Sequence, residues 1–158
     1  MNKKLLLVLI LVAVIVTGTA FAQTGIGVQG GGSFGSGSLG GAALTLKLSG
    51  SPIYWAFNFS AGSGYSWMGL SGDVNLLTNS IISGLDWYVR VGGLANVAFF
   101  RDNFYLNVGV QLPVGIAWRP LPPLELYLQV GPRLGINILQ DFGFGIYGFG
   151  NIGIRYWF

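Results

Sequence analysis

The chain of 158 residues has no cysteine and no histidine. Without cysteine there is no disulfide, no thiol nucleophile and no lipid-attachment site of the lipoprotein kind. Without histidine, a serine nucleophile lacks its usual general base and a zinc site lacks its commonest ligand. Charge is scarce as well. Asp, Glu, Lys and Arg make up 8% of the chain, where a soluble globular domain carries about 25%. Beyond residue 22 there is also no long hydrophobic run, because Gly, Asn, Ser or Arg cuts the apolar residues every few positions. A membrane-spanning helix is thereby excluded from that region.

What the chain has is apolar and aromatic residues in alternation. Hydrophobic residues reach 52% and glycine numbers 27, with a mean hydropathy of +0.62. Glycine weakens helices. A very apolar chain without apolar runs must place its hydrophobics at every second position, which is the pattern of a membrane barrel. Eight such segments are predicted, at 24–31, 41–49, 52–60, 65–77, 86–97, 103–119, 124–138 and 143–158. In the seventh, Leu124, Leu126, Leu128 and Val130 share one face, and Glu125, Tyr127 and Gln129 the other. In the third, Ile53, Trp55, Phe57 and Phe59 oppose Tyr54, Ala56, Asn58 and Ser60. The expected fold is all-β: an eight-stranded antiparallel up-and-down transmembrane β-barrel, closed so that no strand edge meets lipid. A soluble barrel would turn the apolar face inward. An eight-stranded interior is too narrow for that many large side chains, so the apolar face is assigned to lipid.

The N-terminus reads as a cleaved signal peptide over residues 1–22. Lys3 and Lys4 form its positive region, 5–16 its apolar stretch, and Ala20, Phe21 and Ala22 its cleavage site, leaving 23–158 as the barrel. Removing Lys3 and Lys4 leaves six Lys/Arg against five Asp/Glu. No basic patch remains for nucleic acid.

At the other end, Asn151, Gly153, Tyr156 and Phe158 fill a polar–Gly–hydrophobic–hydrophobic pattern in which alternate residues are apolar. This segment resembles the terminal insertion signal of Gram-negative outer-membrane β-barrels. The resemblance implies export through the periplasm, a place in outer-membrane lipid, and the barrel assembly machinery as a partner during biogenesis. Barrels of this kind normally keep both termini in the periplasm. The connections 32–40, 61–64, 98–102 and 139–142 would then be extracellular, and Gly50 with Ser51, 78–85 and 119–123 periplasmic. Lipid-facing aromatics fall into two groups: Trp55, Trp87, Trp118, Tyr156 and Phe158 toward the periplasm, and Phe59, Phe104, Phe142 and Phe144 toward the outside. Two such girdles are expected where amphipathic rings meet membrane interfaces. The stretch Leu112-Pro113-Val114-Gly115, followed by Leu124-Glu125-Leu126-Tyr127-Leu128-Gln129, is similar to an uncharacterised spirochaete family of small outer-membrane barrels. That family is similar in outline to OmpA/OmpX-type barrels and has no agreed activity.

The face assigned to the lumen carries Tyr54, Trp67, Tyr88, Tyr127, Tyr147 and Phe149 with the charges Lys47, Asp73, Arg90, Glu125, Arg133 and Arg155. Such bulk predicts a largely plugged, polar and aromatic lumen. Register across the two hairpins is expected to set Asp73 opposite Arg90 and Glu125 opposite Arg155. Asp102 and Asp141 fall near the outer mouth and read as solvated loop acids. No cofactor, metal or catalytic residue is predicted. The expected role is structural, or interaction with an unknown extracellular ligand through the outer loops. A narrow channel for small or hydrophobic solutes is the alternative.

Overall fold

In the computed structural model, residues 23–35, 40–62, 65–100, 103–138 and 143–158 are described. The proposed signal peptide, Asp102, Asp141 and Phe142 lie outside them. The described residues form nine strands: β1 Gly25–Phe34, β2 Gly40–Lys47, β3 Ile53–Gly62, β4 Tyr65–Ile82, β5 Leu85–Phe100, β6 Asn103–Gln111, β7 Val114–Leu121, β8 Leu124–Asn137 and β9 Gly143–Trp157. All neighbours are antiparallel, and β1 pairs with β9, so the sheet closes on itself. β6 and β7 occupy one position in the ring, since both lie between β5 and β8. The ring therefore has eight positions, as the alternation predicts.

The sixth segment breaks at Leu112 and Pro113 because proline has no N–H to give the ladder. Pairing continues around it: Arg90 N–H donates to the Pro113 carbonyl at 2.8 Å, and Leu112 N–H to the Pro132 carbonyl at 3.1 Å.

Register fixes the barrel's dimensions. Residues directly opposite one another run Tyr147, Arg133, Gln111, Gly92, Asp73, Tyr54, Lys47, Gly25 and back to β9 at Trp157. One circuit thus returns 10 residues along β9, from 147 to 157. With a rise of about 3.3 Å per residue and about 4.8 Å between strands, this shear tilts the strands by about 40° and sets a backbone radius of about 8 Å. Side chains alone can fill such a cylinder.

The faces divide as the period of two requires. In β8, Leu128 and Val130 are 48% and 51% exposed, while Tyr127 and Gln129 between them are 4% and 5% exposed. The same alternation exposes Phe57, Leu70, Ile116 and Ile152 on other strands. The outer wall is apolar and the lumen polar and aromatic. An apolar outer wall without a second protein layer is stable only in lipid.

The predicted connection 119–123 narrows to Pro122 and Pro123, since β7 runs to Leu121 and β8 starts at Leu124, and a second is overturned. Residues 78–85 are not a loop: β4 runs to Ile82, β5 starts at Leu85, and Ser83 and Gly84 make the turn. Gly84 sits at φ 80°, a left-handed value that glycine adopts without a steric penalty. The strand was masked in the sequence because register shifts between Asn75 and Leu77, and again between Ser80 and Ile82. Each bulge inserts one unpaired residue and breaks the period of two.

Candidate functional site: the barrel lumen

The end of the lumen nearest the termini is built around Glu125 on β8. Its direct neighbour on β9 is Arg155, as the hairpin register predicts. Arg155 Nη1 donates to Glu125 Oε1 at 2.7 Å, and both side chains are 2% exposed. The other carboxylate oxygen accepts from Arg119 Nε and from Trp157 Nε1, each at 3.1 Å. The Arg155 guanidinium also lies 4.8 Å from the Tyr127 ring and 5.1 Å from the Tyr54 ring, contacts favoured by the negative face of an aromatic ring. Its Nε finds no acceptor among the described residues. Arg119 was assigned to a turn in the sequence. Continuing the alternation Gly115, Ala117, Arg119 along β7 would have placed it in the lumen.

The second expected pair does not form. Asp73 stands opposite Gly92, and Arg90 opposite Asn75. The shorter turn moves the β4–β5 register by four residues from the expected one, and the two bulges take back one each, leaving a net shift of two. Arg90 Nε donates to Asn75 Oδ1 at 2.7 Å, and its guanidinium stacks at 3.8 Å on both Tyr54 and Tyr88. Asp73 instead accepts from Gln111 Nε2 at 2.8 Å. A Cβ at Gly92 would collide with the Asp73 carboxylate, so the glycine opens the path along which Gln111 reaches across β5. Gln111 Oε1 in turn accepts from Arg133 Nε at 3.2 Å and Nη2 at 2.8 Å. Arg133, Gln111 and Asp73 form a relay in which an amide separates the two charges. Lys47 gives its ammonium to the carbonyls of Leu48 and Ser51 in the following turn.

Two further hydrogen bonds run inside the lumen, each bridging over one intervening strand position. Tyr88 O–H donates to Gln129 Oε1 at 3.1 Å and Tyr127 O–H to Gln29 Oε1 at 2.9 Å. Tyr88, Tyr127 and Phe149 are 2%, 4% and 1% exposed. Beyond this layer, away from the termini, lies a cavity of about 420 Å³. Its wall includes Asn58, Asn96, Asn107, Asn137 and Asn151, the rings of Trp67, Tyr105, Tyr147 and Phe149, and Arg133. The sequence reading missed this asparagine cluster. Each residue is visible on its own strand, but their common level follows only from the shear.

The other predicted residues are placed as follows. Asn151, Gly153 and Tyr156 lie on β9. Phe158 is tied to the first residues of the barrel, its N–H donating to the Thr24 carbonyl at 2.9 Å and its carbonyl accepting from Gln23 N–H at 3.0 Å. Tyr156 and Phe158 meet edge to face at 5.0 Å. Trp118 faces Leu85 and Trp87 faces Ile116 near the β7–β8 turn. Trp55 lies on β3 opposite Gly72. At the opposite end, Phe59 faces Met68, Phe104 faces Phe99 and Phe144 faces Ile136. All six of these aromatics occupy the outward face of their strands.

A closed antiparallel ring of eight positions, apolar outside and polar inside, is the architecture of the outer-membrane β-barrels, and this chain is a barrel of that class set in outer-membrane lipid. Neisserial surface protein A is a solved structure of similar fold, with a TM-score of 0.50, 17% identity, and coverage of 85% of this chain and 96% of that one. The N-terminal β-barrel domain of Pseudomonas aeruginosa OprF is another, with a TM-score of 0.51, 10% identity, and coverage of 86% and 98%. At these identities the likeness is one of fold. No family model and no curated protein matches the chain, so the resemblance of its sixth and seventh segments to a spirochaete family gains no support.

Proposed function

We propose that this barrel is a non-conducting, non-catalytic outer-membrane protein with a structural or surface-interaction role, its termini in the periplasm and its cavity open to the outside. The supporting observation is the layer formed by Tyr88, Tyr127, Gln29 and Gln129. Its two hydrogen bonds span strands that are not neighbours in the ring. Next to it, Arg90, Glu125 and Arg155 are 5%, 2% and 2% exposed. A water-filled channel belongs to barrels about twice as wide. The absence of histidine from the whole sequence supports the non-catalytic reading.

The protein refolded into planar bilayers should give no discrete conductance steps. The double substitution Tyr88→Ala with Tyr127→Ala, which removes both bridging hydroxyls and their rings, should admit small ions. Steady single-channel steps from the unaltered protein would overturn this reading in favour of the narrow channel.

A further inference from the structure

The charge relay through Arg133 ends in a site that no partner among the described residues completes. Arg133 uses one edge of its guanidinium, Nε and one Nη2 hydrogen, on Gln111. The guanidinium carries five N–H groups. The second edge, Nη1 with the other Nη2 hydrogen, has no acceptor among the described residues, and none of them places a carboxylate within 4.0 Å of Arg133. This free edge belongs to a residue of the cavity wall, and the described residues of that wall include no acid. The guanidinium is also fixed in place, lying 4.8 Å from the Phe149 ring.

Around Arg133, the one cation among the described residues of the wall, stand carboxamides with unused capacity. Among the described residues Asn96 and Asn151 make no side-chain hydrogen bond, and Asn107 and Asn137 make one, to each other at 2.9 Å. A Cβ at Gly69 would collide with Asn96 Oδ1, and one at Gly31 with Asn151 Oδ1. Both amides therefore lie over glycines of a neighbouring strand, which hold them at the wall and leave the centre empty. Each amide offers donors and an acceptor, the combination that matches neighbouring hydroxyl groups. Trp67 and Tyr147 add flat apolar faces, the complement of the C–H face of a pyranose ring. The volume of about 420 Å³ falls within the range of small-molecule pockets, about 300–1,000 Å³.

We infer that the outer half of the lumen binds a sugar acid: a pyranose whose carboxylate takes the free edge of Arg133 and whose hydroxyls pair with Asn96, Asn107, Asn137 and Asn151. This rests on the proposed outward opening of the cavity. It does not require the inner layer to be watertight, so a conductance result and a binding result are separable. A bidentate guanidinium–carboxylate contact supplies both energy and orientation. The acid is therefore preferred over the neutral sugar, and the hydroxylated acid over a plain carboxylate.

The test is titration of the full barrel in detergent with D-glucuronate, D-glucose and acetate, followed by tryptophan fluorescence and calorimetry. Saturable binding of glucuronate is expected, with glucose and acetate each weaker by about tenfold or more. Arg133→Gln should erase the preference for glucuronate over glucose. Asn96→Ala should weaken both sugars while keeping that preference. Heat-modifiable gel mobility identifies folded variants, and if Arg133→Gln fails to fold, the comparison of the three ligands on the unaltered protein decides. A disaccharide with a terminal glucuronate separates the sources: binding at least as strong as the free acid assigns the site to a glycan end, and weaker binding assigns it to a free solute. Absence of saturable glucuronate binding, or equal affinity for glucose, overturns the inference.

Discussion

Neutralising Glu125 is the most direct perturbation of the lumen. Glu125→Gln keeps the shape of the side chain and removes its charge. Arg155, 2% exposed, is then left without a counter-ion in a site that water does not reach. Removing one partner of a buried pair costs about 3–5 kcal/mol, mostly from the uncompensated charge that remains. Arg119 bonds the same carboxylate, but its side chain is 50% exposed, and pairs in contact with water contribute about 0–1 kcal/mol. The two arginines are thus distinguished by burial alone. Glu125→Gln should lower stability by about 3–5 kcal/mol, Arg155→Met by a similar amount, and Arg119→Met by less than about 1 kcal/mol. In a double-mutant cycle, Glu125 and Arg155 should couple by about 2–3 kcal/mol, near the upper end for residues in contact. Urea unfolding of the barrel in lipid vesicles, read by tryptophan fluorescence and by gel mobility, measures each quantity. A Glu125→Gln variant within about 1 kcal/mol of the parent, or a coupling to Arg119 as large as that to Arg155, would refute the reasoning.

Deleting Phe158 removes the hydrogen bonds to Gln23 and Thr24 and the end of the proposed insertion signal. The folded, heat-modifiable fraction in outer membranes should fall, and an unchanged fraction counts against that signal. Arginine at Val108 or Leu128, on the lipid face, should destabilise by about 2–4 kcal/mol, whereas Asn96→Arg, in the cavity wall, should cost clearly less in the same unfolding assay. Gly109 cannot serve as the lumen control, because a Cβ there would collide with the Leu134 carbonyl. Gly31→Ala should cost about 1–3 kcal/mol by overpacking against Gly150 and Asn151. Gly30→Ala, whose Cβ would meet nothing nearer than the Gly41 carbonyl at 4.0 Å, should be neutral or slightly stabilising. Equal effects at these adjacent glycines would contradict the face assignment.

The legible and illegible parts of this barrel differ in one physical respect, the regularity of the ladder. β8 and β9 pair without a shift from Leu124 and Tyr156 to Asn137 and Gly143. Alternation alone therefore puts Glu125 against Arg155. Between β4 and β5, two bulges add a residue each. They erase the period of two over 75–82, and with it the turn and the partner of Asp73. Pro113 splits a strand that hydropathy reads as continuous. The outward assignment of the aliphatic faces was legible because burial repeats strand by strand. The asparagine-lined cavity was not, since it depends on how far each strand is displaced along its neighbour, a quantity that lies in the backbone register and not in any one segment.

The buried acid and its two arginines come from β7, β8 and β9, three successive strands joined by short connections. Glu125 lies 30 positions from Arg155, whereas Tyr127 lies 98 positions from Gln29. Short loops close at lower entropic cost than long ones. The C-terminal meander can therefore pair its buried charges while the N-terminal strands are still unpaired, and it meets the bilayer as a hairpin sheet in which Glu125, the one carboxylate on its strands, is already bonded. The bond from Tyr127 to Gln29, by contrast, exists only after β1 has found β9. Its formation marks the moment at which the cylinder becomes closed, and a probe placed at Tyr127 would report that step separately from the earlier ion pairing.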